Sequence, residues 1–315
     1  MFKKFFRDHP IHKKIVPLFD EFFFFNPMNY YFSWLMICVG VYLNLFLSQL
    51  NPQFLFSFNF GYLLLFLGLS MILSSFYIFN KIYDVNERDE NFKHIETKYS
   101  FEKFELLIKI LIFVGLLLLL FVSLVNTIIG VLLIICFGIC KKYFKNKLIY
   151  YFIESCLLFF SGWFYTKEII TSRFFSLYDI IFLLPYFLFY LSLYMSKINL
   201  NNYSNENFKI KKFDWKVLCT IILVSISFYL GFINSDPLIS IISITSIGFN
   251  FYSFFRFYKK DMVRSLIYPL ALFNIFLMTI FPYLFIFHFI LFYISKYYHW
   301  HRFELHYPTF LVDSE

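Results

Sequence analysis

The residues with the clearest chemical potential are oxygen donors set where an apolar run ends. Phe22–Asn80 contains no Asp, Glu, Lys, Arg or His, and the next ten residues, Lys81–Glu90, hold two aspartates, two glutamates, a lysine and an arginine. Continued as a helix, this stretch puts Asn80, Asp84 and Glu87 within about 60° of one another, with Asp89 on the opposite side. Two carboxylates and an amide oxygen on one face are hard ligands. They suit magnesium, which takes one or two carboxylates alongside substrate phosphates. The competing reading is that these charges only solvate a helix end.

Other candidates are weaker. Glu154 lies in a later apolar stretch, and an acid inside a membrane is a candidate site by default, with snorkelling to the surface as the alternative. His288 stands alone in the last apolar window and reads as a histidine bonded within the fold. His299-Trp300-His301 and His306 lack the carboxylates or cysteines of a metal site. Cys38, Cys136, Cys140, Cys156 and Cys219 all fall in apolar segments and read as small hydrophobes.

What positions these groups is a membrane. Hydrophobic residues make up 60% of the 315, charged residues only 15%, and mean hydropathy is +0.67, against about 25% charged in a soluble domain. A hydrocarbon core about 30 Å thick needs about 20 apolar residues per helix. The windows predict an all-α polytopic bundle of nine spans. Two lie in Phe22–Asn80, split at Asn51-Pro52-Gln53. Two share Leu106–Cys140, breaking near Asn126-Thr127. The next four are Leu148–Thr166, Ile180–Ser196, Val217–Asn234 and Pro237–Phe255. The ninth is one long helix over Ser265–Ser295, kinked at Pro282, with two half-spans as the alternative. The 51 Phe and 25 Tyr read as nucleotide bias, so no single aromatic carries weight.

Lysine and arginine set the orientation. With the N-terminus inside, only Lys167, Arg173, Lys296 and Arg302 of the 28 basic residues fall outside. The net charge of +8 is therefore a topology signal, and nucleic acid is not expected as a partner. The expected arrangement is one transmembrane domain over 1–315, in the cytoplasmic membrane. Residues 1–21 form a cytoplasmic N-terminal segment, and 297–315 form a tail. The long polar connections lie on the inner face, where the chemistry is expected.

Asn80-Lys81-Ile82-Tyr83-Asp84, at the end of the second span, resembles the first aspartate-rich motif of the UbiA superfamily of intramembrane prenyltransferases, close to N-(D/Q)-x-x-D-x-x-x-D. The third family carboxylate falls on Arg88, between Glu87 and Asp89. Ser161-Gly162-Trp163 is similar to a G-W of the fifth span. Phe25-Asn26-Pro27 is similar to an R-P segment before the first, without its Arg. The tail, with Ser295-Lys296-Tyr297-Tyr298, Arg302-Phe303 and Tyr307-Pro308, resembles endings of some bacterial members. The resemblance implies a helical bundle around a cavity open to lipid. It implies catalytic roles for Asn80 and Asp84, with Mg²⁺ on Asp84 and Glu87 or Asp89. It implies a polyprenyl diphosphate donor and a lipid-soluble acceptor. Lys141 and Lys142 would contact phosphate, and Asp84, Glu87, Lys141 and Asn199 would meet at one inner opening.

The chain departs from the pattern in two places. The second motif, D-x-x-G-D after span six, falls on Asn199 and Tyr203, so a second metal site loses its charge. Lys197, two residues earlier, is the candidate replacement cation. The proline-containing turn after span four is Cys140-Lys141-Lys142-Tyr143-Phe144-Lys145-Asn146-Lys147, basic but without proline. Two readings stay open: a prenyltransferase using one metal, or an inactive protein of that fold that carries a lipid or hydrophobic metabolite.

Overall fold

The computed structural model describes residues 10–25, 27, 30–48, 59–83, 95, 99–143, 147–170, 175–202, 215–256 and 259–303. Among the described residues every regular element longer than one residue is an α-helix: α1 Pro10–Phe24, α2 Tyr30–Leu47, α3 Phe60–Tyr83, α4 Phe101–Val122, α5 Leu124–Tyr143, α6 Lys147–Ile170, α7 Asp179–Asn202, α8 Trp215–Ile233, α9 Pro237–Arg256, α10 Lys259–Ile280 and α11 Pro282–Phe303. Seven of these are long and apolar enough to cross a membrane, namely α2, α3, α4, α7, α8, α9 and α10. The chain is a multi-pass helical membrane protein. In bilayer hydrocarbon only a helix bonds all its own backbone groups, which is why these windows fold this way.

Two boundaries differ from expectation. The break in the third window falls at Ser123 rather than at Asn126-Thr127. Ser123 is extended, its N–H donates to Leu119 O, and its Oγ accepts from the Asn126 N–H at 3.1 Å, which caps the next helix. Over Ser265–Ser295 the single kinked helix is instead two helices, α10 and α11, parted at Phe281. Pro282 opens α11, where its missing N–H is one that a helix start leaves unbonded anyway.

The helices group into two compact units, Met1–Tyr31 with Asn59–Ile134 and Tyr283–Phe310, and Phe32–Phe58 with Ile135–Pro282 and Leu311–Glu315. In the first unit α3 and α4 run antiparallel, with Gly68 against Gly115 and Tyr83 against Glu105. Close approach of small residues is how helices gain contact where the solvent is as apolar as the side chains. The same unit ties the chain ends together. Asp20 of α1, 1% exposed, accepts from the Tyr298 hydroxyl at 2.7 Å and pairs with Arg302 at 3.0 Å, while Phe23 stacks on Tyr298. The Tyr99 hydroxyl, just before α4, donates to Glu21 at 2.6 Å.

In the second unit α2 and α6 run parallel at very close range. A Cβ on Gly40 would stand 2.1 Å from Phe159 O, and one on Gly162 would stand 2.2 Å from Ile37 O. The Asn44 amide donates to Trp163 O one turn further along. Helices α8 and α9 form a hairpin joined by small polar contacts, Ser227 with Ser243 and Thr220 with Asn250. Pro185 inside α7 has no N–H for Ile181 O, and the Asn234 side chain donates to that carbonyl at 2.9 Å.

Candidate functional site

The helix carrying the acidic motif holds its register through Tyr83, the residue before Asp84. Its last turn divides by face. Lys81 is only 4% exposed and turns inward, donating to Phe24 O at 3.4 Å with its ammonium over the Phe24 ring. That carbonyl ends α1, where a helix leaves C=O groups unbonded and favours a cation. Ile82 packs with Phe24, Ile78, Ile95 and Phe104. Tyr83 faces outward, its hydroxyl donating to Glu105 at 3.0 Å. Asn80 is half-buried. So the lysine inside the motif is a structural cap on α1, and the sequence offered no sign of it.

Asp84, Glu87, Asp89 and Tyr203 lie outside the described residues. So do the side chains of Lys141 and Lys142 near the end of α5 and of Asn199 near the end of α7. The expected meeting of these groups at one opening is therefore not described. Among the described residues no three His, Cys, Asp or Glu side chains gather into a metal-binding group.

Lys197, expected to stand in for the second metal, has other neighbours. Its ammonium lies 5.0 Å from the Phe32 ring centroid and acts electrostatically on Glu154. Glu154 does not snorkel: it is 2% exposed on α6. His288 donates from Nδ1 to Leu284 O at 2.9 Å, the internal bond expected of it, and Tyr31 abuts its ring. His301 packs against Tyr297. Cys38, Cys136, Cys156 and Cys219 are free thiols.

Sequence reasoning missed another buried acid, Asp236. Asp236, 2% exposed between α8 and α9, accepts from the Tyr186 hydroxyl at 2.6 Å, from Tyr42 at 3.1 Å and from the Leu238 N–H. It caps α9, and the signal was available as Asp236-Pro237, a cap residue followed by proline at the first helical position. Burial pushes its carboxyl above the ordinary carboxylate value, against hydrogen bonds that favour the charged form.

Compared with protein-family models, curated proteins and solved structures, the chain matches none.

Proposed function

We propose that this protein is an intramembrane prenyltransferase of the UbiA type. It moves an isoprenoid chain from a polyprenyl diphosphate to a membrane-associated acceptor. The observation that carries the reading is the Asn80-Lys81-Ile82-Tyr83-Asp84 motif at the end of the second long helix. Because α3 runs unbroken to Tyr83, Asn80 and Asp84 fall one helical turn apart if the turn continues. Asp84 with Glu87 or Asp89 would hold one Mg²⁺, which neutralises the departing diphosphate. Asn199 and Tyr203 replace the second carboxylate pair, and they favour a second reading in which the same kind of bundle carries a lipid without transferring it.

The reading comes with ten crossings, α2 to α11, instead of nine. Its support is the ion pair of buried Asp20 with half-buried Arg302, which joins the helix before the first crossing to the end of the last. Both chain ends then share a face, the number of crossings is even, and only Lys167 and Arg173 of the 28 basic residues fall on the other side. By the positive-inside rule that shared face is cytoplasmic.

The test is calorimetric titration of farnesyl diphosphate into the purified protein. Binding should require Mg²⁺ and be abolished by Asp84→Ala. Absence of binding with and without Mg²⁺ refutes the transferase reading.

A further inference from the structure

Arg256 ends α9 and Asp261 lies in the first turn of α10, so the turn between them sits where two helices of membrane-spanning length meet the bilayer surface. Asp261 is 3% exposed and holds two guanidinium groups at once. Arg264 Nη1 donates to its Oδ1 at 3.0 Å, and Arg256 Nε stands 3.4 Å from its Oδ2. The arginines themselves stay half exposed, at 50% and 48%. The Arg256 guanidinium also lies over the Tyr252 ring, 5.1 Å from its centroid, and donates to the Tyr252 hydroxyl. Carboxylate and ring thus fix two forked cations side by side, with part of each facing outward.

Cations outnumber anions here. A buried carboxylate needs a cation, and one arginine meets that need. The second adds a net positive charge, and two like charges on one carboxylate repel each other. Over residues 256–264 the sequence sets Arg256, Lys259, Lys260 and Arg264 against Asp261, four cations to one anion, for a net +3. A guanidinium presents five N–H donors in a planar fork, which suits a phosphate.

The surroundings say which phosphate. Beside Arg256, Phe255 is 72% exposed and Tyr252 is exposed as well. One turn beyond Arg264, Tyr268 is exposed, and its ring meets Phe249 of α9 at 5.0 Å between centroids. Exposed rings of both helices therefore border the cations, at the level where aromatic side chains meet a membrane interface. A soluble anion would use the charge and leave the rings in water or bare lipid. A zwitterionic lipid would bring a cation of its own to a positive surface. A lipid with an anionic headgroup meets both demands.

We propose that the α9–α10 turn is a binding site for an anionic phospholipid. Its phosphate bridges Arg256 and Arg264, which Asp261 positions, and its acyl chains lie against Tyr252, Phe255 and Tyr268. The site uses none of the residues proposed for prenyl transfer, so the two tests succeed or fail separately.

The experiment is native mass spectrometry of the full chain released from detergent micelles and titrated with phosphatidylglycerol or phosphatidylcholine of the same acyl chains. Phosphatidylglycerol should bind several-fold more tightly. Arg256→Gln and Arg264→Gln should each weaken it about fivefold, the scale of one basic residue at an anionic surface, with a smaller effect on phosphatidylcholine. Lys109→Gln removes the same charge from an exposed position on α4 and should change neither lipid. Asp261→Asn makes the turn more positive, yet it should weaken phosphatidylglycerol, because the arginines lose their common anchor. Tighter binding by that variant would overturn the proposal, as would an equal loss from Lys109→Gln and Arg264→Gln, since diffuse charge would then explain the affinity. Equal affinity of the unaltered protein for the two lipids overturns it too. So does displacement of phosphatidylglycerol by millimolar inorganic phosphate at constant ionic strength, because the site would then serve a free anion. These last two readings come from the unaltered chain, so a variant that fails to fold does not rescue the proposal.

Discussion

Replacing Gly40 by alanine tests the close pairing of α2 and α6. The new Cβ would lie 2.1 Å from Phe159 O and 3.0 Å from Trp163 N, both backbone atoms that no side-chain rotation can move aside. Bringing the first contact to 3.0 Å means opening the helix pair by about 0.9 Å. Overpacking of this kind costs about 1–3 kcal/mol, and the 3.1 Å bond from Asn44 to Trp163 O, stretched by the same movement, is worth about 1 kcal/mol more. Alanine's better helix propensity returns about 1 kcal/mol. The net expectation is a loss of about 1–3 kcal/mol. Gly138 and Gly248 have nothing within 4 Å of a would-be Cβ, so alanine there should gain up to about 1 kcal/mol from propensity alone. The assay is reversible unfolding by SDS in mixed micelles, followed by far-ultraviolet circular dichroism. Gly162→Ala pushes the same two helices apart through Ile37 O, so Gly40→Ala with Gly162→Ala should cost less than the two separate losses combined. A Gly40→Ala protein as stable as Gly138→Ala would refute the close parallel packing.

Further expectations concern topology, pH and metal. With ten crossings, Ser204→Cys and Ser314→Cys in a cysteine-free background should both resist a membrane-impermeant maleimide in intact cells, while Ser172→Cys reacts. Labelling of position 314 from outside would restore an odd number of crossings. The raised value of the Asp236 carboxyl means the fold favours its neutral form, a contribution complete below the ordinary 3.8 and lost as pH rises through the raised value. The unaltered protein should therefore lose stability relative to Asp236→Asn as pH climbs from about 3, read as a narrowing gap in unfolding midpoint. If Asn199 and Tyr203 cost the protein a second metal, Asn199→Asp combined with Tyr203→Asp should add a second Mg²⁺ to the diphosphate titration. An unchanged stoichiometry would count against that account of the lost motif.

Hydropathy and charge are local properties of a chain, and they settled what depends on them alone. The apolar helices and the membrane were legible in the windows, with α8 and α9 matching their spans to within two residues at either end. Pro282 was not decidable in the same way, because proline both kinks a helix and opens one. The structure has two helices there, one ending at Ile280 and the next opening at Pro282, and the bonds from Tyr298 and Arg302 to Asp20 hold the end of the second against α1. Lys81 looked like part of an acidic motif, and only packing showed it turned onto the end of α1. Glu154 was visible as an acid in an apolar stretch, but its burial against Ser33, Tyr150 and Lys197 follows from the register of α2, α6 and α7. Composition cannot encode that register. It is set by where two glycines let backbones meet, and a shift of one turn would put different polar atoms face to face.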